Sequence, residues 1–213
     1  MEITWLGHSC FRLRGKNVTI VTDPYEDRIG YRLGRVSADI VTVSHNHYDH
    51  NNVSAVGGNP RVIKGPGEYE IGGIFITGVQ TFHDAESGGK RGPNTAYLID
   101  MDDLVTCHLG DLGHALTAQQ VEDMSNVDIL LVPVGGSVTI TATQAAEVIS
   151  LIEPRIVIPM HYRTEGLQLE IDPLERFARA MGLKEIKPLP KLSVTRSNLP
   201  EETQVMVLDY KTR

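Results

Sequence analysis

The sequence has few cysteines and no long hydrophobic run, and these two absences narrow its class. Its two cysteines, Cys10 and Cys107, lie in apolar, strand-like surroundings, so we expect buried reduced thiols rather than a disulfide. No apolar stretch reaches the roughly 20 residues that a transmembrane helix needs. Residues 1–5 lack the basic start and apolar core of a signal peptide, so we expect a cytoplasmic protein that is not inserted in a membrane.

Positive charge is scarce as well. The chain has 20 Lys and Arg against 27 Asp and Glu, which gives a formal net charge of -7. This balance argues against a nucleic-acid partner, which usually requires a basic surface, but it leaves room for a small anionic substrate at a locally positive site. With 213 residues and 41% hydrophobic content, we expect one globular domain that spans residues 1–213. The sequence leaves open whether the chain forms a homo-oligomer.

Short apolar runs predict a chain that begins with strands and adds helices later, which indicates two packed sheets covered by helices. Capping-box patterns at 117–120 and 141–144 each predict the start of a helix. Asp172 as N-cap, with Pro173 at the first helical position, predicts a third helix that Gly182 ends. The glycine-rich segment 65–72 predicts a loop. The predicted strands are 3–6, 10–13, 18–21, 40–43, 61–64, 73–81, 95–99, 104–108, 128–132, 155–160, 192–195 and 204–208.

The most informative stretch is 44–52, which has the sequence SHNHYDHNN and directly follows a predicted strand. Its metal-binding side chains are His45, His47, Asp49 and His50. Imidazole nitrogen and carboxylate oxygen are ligands that zinc and similar ions bind readily. Because one short loop cannot wrap all four groups around a single ion without strain, the spacing favours two ions a few ångströms apart. The competing interpretation is a polar, solvated loop that is rich in histidine by chance.

Three further metal-binding residues stand just beyond predicted strands, and they are His83, Asp111 and His161. Residues at such strand ends can reach the same edge of a sheet and complete a two-metal site. Taken alone, Asp111 is equally consistent with a capping residue, and each of the two histidines is equally consistent with a position on an exposed loop. Together with the four residues of the histidine-rich loop, they supply seven groups for two ions.

These motifs resemble those of the metallo-β-lactamase superfamily in their order and approximate spacing. The resemblance covers most of the chain, and the His-x-His-x-Asp-His element is specific when a later His, Asp and His follow it. Within the superfamily, the runs 5–9, 109–111 and 159–162 look like the short UlaG-like branch, which includes ascorbate-phosphate lactonase and many uncharacterised Zn-dependent hydrolases. The elements that carry the resemblance are Asp23, residues 45–50, His83, residues 110–111 and His161.

The resemblance implies an α/β fold, an αββα four-layer sandwich of two mixed sheets flanked by helices, with metals at one edge. It implies two divalent ions, zinc first and manganese or iron as alternatives, with Asp111 bridging them and Asp23 bracing the histidine loop. The implied ligand sets are His45, His47 and His83 for one ion and Asp49, His50 and His161 for the other. His108 and His114 lie near Asp111 in the sequence and could compete with it or support the ligands from behind. The carboxylates that follow His83 could replace that histidine.

The predicted function is hydrolysis of a small anionic ester, lactone or phosphodiester. Metal ions lower the pKa of bound water toward about 7, so a hydroxide that bridges them can attack a carbonyl or phosphoryl centre. We expect Asp49 to accept a hydrogen bond from this nucleophile and to orient it. Arg91 and Arg163 are candidates for contacting an anionic substrate, and His8 for contacting the substrate or supporting the ligands. For His8, a structural histidine in a turn is an equally good interpretation. Lys90, next to Arg91, could also contact the anion, but a solvated surface charge is the better interpretation of this residue.

Two alternatives use the same set of residues. A mononuclear iron dioxygenase keeps similar histidines, whereas diiron relatives carry a Glu where this chain has His47, which argues against a flavodiiron-like role. A non-catalytic metal-binding module has no support, because no ligand position is missing. The short length and acidic charge favour a small-molecule hydrolase over a processing nuclease, and the lack of a recognisable secretory signal disfavours a secreted β-lactamase.

Overall fold

A computed structural model describes residues 1–210 of the protein, which form two large β-sheets around one shared hydrophobic core and a separate two-stranded sheet. The first sheet begins with an antiparallel meander, formed by strands that the sequence predicts, and continues with parallel strands. In spatial order, its strands are β14 (Leu192–Ser193), β1 (Glu2–Gly7), β2 (Cys10–Arg14), β3 (Thr19–Thr22), β5 (Ile40–Val43) and β7 (Arg61–Lys64). Cys10 and Cys107 are buried and unpaired, as predicted.

The second sheet is mixed and lies on the other side of the core. In spatial order, its strands are β15 (Gln204–Val205), β13 (Ile156–Met160), β12 (Ile129–Pro133), β11 (Leu104–His108), β10 (Pro93–Met101), β9 (Ile74–Phe82) and β8 (Gly67–Ile71). The strands from β8 to β11 pair antiparallel, and β11, β12, β13 and β15 pair parallel. Strands β12 and β13 are buried along their whole lengths, as parallel strands covered on both faces are.

The α-helices of the described chain follow β11 and are α1 (Ala118–Asp123), α2 (Ala142–Ile152) and α3 (Leu174–Ala180). Thr117 and Thr141 each begin a helix with a complete capping box, as predicted. The predicted N-cap of the third helix was wrong, because the helix begins after Pro173 and Asp172 instead pairs with Arg176 at 2.7 Å. The longest of these helices has 11 residues, and none within residues 1–210 has the length and apolarity to cross a membrane.

The sandwich of two mixed sheets that the resemblance implied is confirmed, and its outer layers are unequal. Helix α2 packs over β12 of the second sheet and against α3. The outer face of the first sheet is covered by loops that contain the short 3-10 helices Asp27–Ile29 and Val53–Ala55. There Ile29 joins Val21 and Val41 in a separate apolar cluster. Loops rather than α-helices therefore complete this side of the fold.

The predicted loop at 65–72 is wrong for most of its length, because residues 67–71 form the strand β8. Strand β8 lies at the edge of its sheet and is mostly exposed, so it lacks the apolar alternation that identifies a strand in a sequence. The Tyr69 hydroxyl donates to the Gly65 carbonyl at 3.1 Å and fixes the turn that precedes the strand. The parallel pair β4 (Val36–Ser37) and β6 (Val56–Gly57) was not predicted either, because strands of two residues are too short to show a periodic pattern.

Strand ends from both sheets converge at one edge of the sandwich. Because β3 and β5 run parallel and side by side, Asp23 and the loop that starts at Ser44 leave the first sheet together. In the second sheet, β9 ends just before His83, β11 just before the 109–111 segment and β13 just before His161. The Thr95 backbone N–H donates to the Ser44 carbonyl at 2.9 Å and joins the two sheets at this edge.

Candidate metal centre

The histidine loop is braced from behind by Asp23, which is fully buried. Asp23 Oδ1 accepts the Ser44 backbone N–H at 2.7 Å, and Oδ2 accepts the Ser44 hydroxyl at 2.5 Å. Asp23 Oδ2 also lies 2.8 Å from His50 Nδ1, which must carry the hydrogen because a carboxylate oxygen only accepts. Since the Ser44 hydroxyl donates to Asp23, it accepts from His45 Nδ1 at 2.9 Å. In their neutral forms, both rings therefore present Nε2 as a lone pair on the other side.

Asp111 lies at the centre of the cluster. Its Oδ2 is 3.2 Å from Nε2 of His50 and of His83, 3.3 Å from Nε2 of His161 and 3.8 Å from Nε2 of His45. All five residues are buried, and they come from four separate loops. The structure thus brings the predicted residues of the second sheet within contact of the histidine loop.

The potential ligand atoms fall into two groups. In each group, one nitrogen or oxygen of every residue lies within 4.8 Å of the corresponding atoms of the others. The groups are His45, His47 and His83, and His8, Asp49, His50 and His161. They coincide with the two ligand sets that the resemblance implied, with His8 added to the second. A third combination, Asp23 with His45 and His50, corresponds to the brace behind the histidine loop.

His8 lies inside the cluster, although the sequence left its role open. Its ring is fully buried, with Nε2 3.3 Å from Asp49 Oδ2 and the ring centroid 4.3 Å from that of His161. The His8 carbonyl accepts from Trp5 Nε1 at 2.9 Å and from the His161 backbone N–H at 3.1 Å. His8, Asp23 and His161 have φ angles of 53°, 40° and 52°, left-handed values that are strained for residues other than glycine. They are three of the ten non-glycine residues with positive φ within residues 1–210, and such strained residues recur at functional sites.

Several buried polar atoms of the cluster have no partner, and they fit a metal centre. His45 Nε2, His50 Nε2 and Asp111 Oδ1 are buried and make no hydrogen bond within residues 1–210. A lone pair on a ring nitrogen that faces a carboxylate oxygen is stable only when a proton or a metal cation lies between them. A divalent cation satisfies several such atoms at once, whereas a proton satisfies a single pair. This set of nitrogen and oxygen donors suits zinc, manganese or iron.

Burial and neighbouring charges set the protonation of the cluster. Burial lowers the pKa of His45 to about 2 and the pKa of His8 to about 4, so both rings are neutral at pH 7. Burial also acts to lower the pKa of His50, but the nearby carboxylates, Asp111 first, outweigh it and raise this pKa well above its usual value. Burial acts to raise the pKa of Asp111, but His161 and His50 hold it well below its usual value. Metal binding would replace the extra proton of His50, as it does at sites whose ligands must deprotonate.

His108 does not join the ligand groups but supports their backbone. It is fully buried, and its Nδ1 accepts the Gly110 backbone N–H at 3.1 Å. Its Nε2 therefore carries the hydrogen and donates to the Ser9 carbonyl at 2.8 Å. These two hydrogen bonds tie the turn that contains His8 to the loop that contains Asp111.

The His83 loop is held by its backbone surroundings. His114, also outside the ligand groups, accepts with Nε2 the backbone N–H of the residue before His83 at 3.1 Å. Gly113 packs so closely that a Cβ there would lie 2.4 Å from the His83 carbonyl carbon. Asp84, which the sequence offered as a substitute ligand, instead accepts four backbone N–H groups of its own loop at 2.7 to 2.9 Å. These hydrogen bonds, that of Arg91 first, lower the pKa of Asp84 to about 2.

Asn94 is a positioning residue that the sequence reasoning missed. It is fully buried, and its Oδ1 accepts the Asp111 backbone N–H at 3.0 Å. Its Nδ2 donates to the Leu109 carbonyl at 2.9 Å and to Thr81 Oγ1 at 2.6 Å. Asn94 thereby fixes the loop that places Asp111 in the cluster. The only signal in the sequence is a polar residue directly before a predicted strand.

A cleft of about 590 Å³ opens over the cluster. Of the two arginines that the sequence offered as substrate contacts, Arg91 lines the cleft, whereas Arg163 is exposed, forms a backbone β-bridge with Pro173 and does not line it. A different arginine, Arg28, lines the cleft instead, with its guanidinium 3.8 Å from the centroid of the Tyr48 ring. No pattern in the sequence marks Arg28, because only the tertiary fold brings its loop to the cleft.

Comparison with known proteins agrees with this geometry. A family model described as a beta-lactamase superfamily domain matches residues 2–161, which include all seven predicted ligands. A UPF0173 protein from Pyrococcus abyssi is 31% identical, over 88% of this chain and 97% of the relative. A UPF0173 metal-dependent hydrolase from Archaeoglobus fulgidus is 28% identical, over 86% of this chain and 92% of the relative.

Among solved structures, a Thermotoga maritima protein assigned to the Zn-dependent hydrolases of the metallo-beta-lactamase superfamily superposes with a TM-score of 0.82. It is 39% identical, and the alignment covers 99% of each chain. These relatives carry no UlaG-like name, so that narrower assignment stays a prediction. The chain therefore belongs to the metallo-beta-lactamase superfamily, as one of its metal-dependent hydrolases.

Proposed function

We propose that the chain hydrolyses a small anionic ester, lactone or phosphodiester at a pair of divalent metal ions. The proposal rests above all on the four ring nitrogens that converge within 3.8 Å of Asp111 Oδ2. When bound, two such ions would supply a water of lowered pKa and positive charge that stabilises a developing oxyanion. Zinc is the proposed ion, because imidazole and carboxylate ligands are typical of its catalytic sites. The residues that would hold the ions are His45, His47 and His83, then Asp49, His50 and His161, with Asp111 between the two sets.

Asp49 is the group that we propose to orient the attacking water. It lines the cleft, and its Oδ2 lies 3.7 Å from His50 Nε2. Burial acts to raise the pKa of Asp49, but the hydrogen bond from His8 and the nearby His50 hold it below its usual value. An ionised carboxylate accepts hydrogen bonds and can take a proton from water.

His8 is proposed as a positioning residue that acts through Asp49. Because Asp49 is ionised, the 3.3 Å contact requires His8 Nε2 to donate its hydrogen to Asp49 Oδ2. That use of the nitrogen favours a supporting role for His8 over direct metal binding. Its carbonyl contacts to Trp5 and His161 fix the ring at this place.

The cleft favours a small anionic substrate. Its volume of about 590 Å³ lies in the range of small-molecule sites. Arg28 and Arg91 both line it and can contact an anion, although Arg28 also pairs with Glu26 at 2.8 Å and the acidic Glu170 lines the cleft as well. A mononuclear iron dioxygenase is less well supported, since it needs one ligand set and the chain brings two together.

An activity screen tests this proposal. The metal-loaded protein is assayed against phosphodiester, lactone and phosphorylated-sugar panels while oxygen consumption is recorded. We expect hydrolysis that chelation abolishes and added zinc or manganese restores, without oxygen uptake. Oxygen uptake with no hydrolysis would favour the dioxygenase instead.

The variant Asp49→Asn tests the assigned role. The substitution keeps the shape of the side chain but removes its charge, so we expect hydrolysis to fall at least about 100-fold. Metal content is measured in parallel, because a loss of metal would also reduce activity. Hydrolysis at the wild-type rate, with metals retained, would refute the role of Asp49.

A further inference from the structure

A second cavity, of about 310 Å³, adjoins the cleft beside His45 and His47, and we call it the side pocket. Its other walls are the 64–66 turn after β7 and the first residues of β10. Asn46, His47 and Arg91 line both the side pocket and the cleft. A molecule that reacts in the cleft can therefore extend past these three side chains into the side pocket.

The side pocket has a rigid frame. Beneath it, the Tyr97 hydroxyl donates to the Val43 carbonyl at 3.0 Å, and Tyr69 holds the Gly65 carbonyl at 3.1 Å. Gly78 allows the turn to pack this closely, since a Cβ at that position would lie 2.7 Å from the Gly65 oxygen. The pocket is thus formed before any ligand arrives, as small-molecule sites usually are.

The chemistry of the side pocket is apolar with positive charge at its edges. Val43, Pro66 and Pro93 supply apolar surface, together with the neighbouring histidine rings. The charged residues that line the pocket are Lys64 and Arg91. Neither forms an ion pair within residues 1–210, whereas other lysines and arginines of the chain do. An apolar pocket with unpaired cations is complementary to an apolar group that carries an anion.

We propose that the side pocket binds the non-reacting part of the substrate, a small apolar or aromatic group that carries a carboxylate or phosphate held by Lys64. The inference rests on the proposed function, because it places the scissile bond in the cleft at the cluster. Arg91, between the two cavities, contacts the substrate near that bond. The substrate class is then an ester, lactone or phosphodiester with a second, non-reacting anionic group.

Binding of small probes tests the proposal without turnover. Benzoate, phenyl phosphate and the neutral analogue benzamide are titrated into the metal-loaded protein and followed by NMR. We expect the wild type to prefer an anionic probe to benzamide. We expect Lys64→Gln to weaken the binding of that anion about fivefold, the scale of an exposed ion pair, and to leave benzamide unaffected. The anionic probe whose affinity falls more in Lys64→Gln shows whether the bound group is a carboxylate or a phosphate.

A matched control separates the side pocket from general surface charge. Lys90 neighbours Arg91 in sequence but pairs with Glu86 at 2.5 Å and lines neither cavity. Lys90→Gln should therefore leave all three affinities unchanged. Equal affinities for all probes in the wild type, or anion affinities that Lys64→Gln does not change, would overturn the proposal. If the affinity for the anionic probes fell only in Arg91→Gln, the anion would lie in the cleft, and the proposal would be overturned as well.

The outcome for the side pocket is separable from the outcome for catalysis. Lys64-dependent binding in a protein that hydrolyses no panel substrate would contradict the proposed function and leave the side pocket standing as a binding site. Hydrolysis of esters by a protein whose Lys64→Gln variant binds every probe as the wild type does would support the proposed function and overturn the side pocket.

Discussion

The two sheets bring their side chains to the cluster by different means. The residues of the first sheet come mainly from one loop, where Asp23 and Ser44 fix the rings of His45 and His50 through Nδ1. The residues of the second sheet come from one strand end each. Within residues 1–210, Nδ1 of His83 and Nδ1 of His161 have no hydrogen-bond partner.

Backbone packing takes the place of side-chain bracing in the second sheet. The His161 backbone N–H donates to the His8 carbonyl, and a Cβ at Gly135 would lie 2.0 Å from the His161 carbonyl oxygen. Gly113 packs closely behind His83 in the same way, with 2.4 Å between an added Cβ and the His83 carbonyl carbon. The difference teaches that one half of the site is built from local sequence, whereas the other half exists only when the whole fold is formed.

Removing the brace of the first sheet should have the largest effect. Asp23→Asn keeps the size of the side chain but removes the carboxylate that orients His50 and Ser44, so we expect metal affinity to fall about 10- to 100-fold. Asp39→Asn is the control, because Asp39 also accepts a backbone N–H beside these strands, at 2.8 Å from Thr19, but lies away from the cluster. Competition with a chelator measures both affinities, and an unchanged affinity in Asp23→Asn would contradict the account of the brace.

Crowding the backbone of the second sheet tests the other half of the comparison. Gly113→Ala places a methyl group against the His83 backbone, so we expect the free energy of unfolding to fall by about 2 kcal/mol, together with weaker metal binding. At Gly57 the nearest atom to an added Cβ is 3.6 Å away, so Gly57→Ala should be close to neutral. Chemical denaturation measures both variants, and similar losses in the two would show that close packing does not place His83.

Two arginine variants extend the comparison to substrate binding. Arg91→Gln should raise KM for an anionic substrate about fivefold, because Arg91 lines the cleft. Arg163→Gln should leave KM unchanged, since that side chain is exposed and does not line the cleft. Steady-state kinetics of both variants decides the point, and a rise only in Arg163→Gln would reverse the assignment.

Acid should destabilise the loop after β9, which contains His83 and Asp84, in a defined range of pH. The pKa of Asp84 is lowered to about 2 by backbone N–H groups, so its ionised form contributes stability above the pKa of the unfolded chain, about 3.9. That contribution is lost as the pH falls from about 4 through about 2. The stability difference between wild type and Asp84→Asn should be constant above about pH 5 and shrink below it. A difference that does not depend on pH would show that the carboxylate charge does not hold the loop.

Much of the fold and the cluster could be predicted because the signals are local. The strands 40–43, 61–64 and 104–108 were predicted with the bounds that the structure has. A buried strand that ends in a run of histidines is visible in the sequence without any tertiary information. The same holds for the capping boxes at Thr117 and Thr141.

The remaining features depend on contacts between distant segments. Asn94 lies 17 residues from Asp111, and His8 lies 41 residues from Asp49, so no spacing rule joins them. Arg28 reaches the cleft only through the path of its loop, and the exposed strand β8 has no apolar alternation. Such contacts become visible only after the chain is folded.

Metal stoichiometry tests the central claim most directly. The purified protein is saturated with zinc and its metal content measured by elemental mass spectrometry, alongside His47→Ala and His161→Ala, which each remove a ligand from one set only. We expect two ions per wild-type chain and one in each variant. A wild type that binds a single ion, or that binds none, would contradict the two-metal centre.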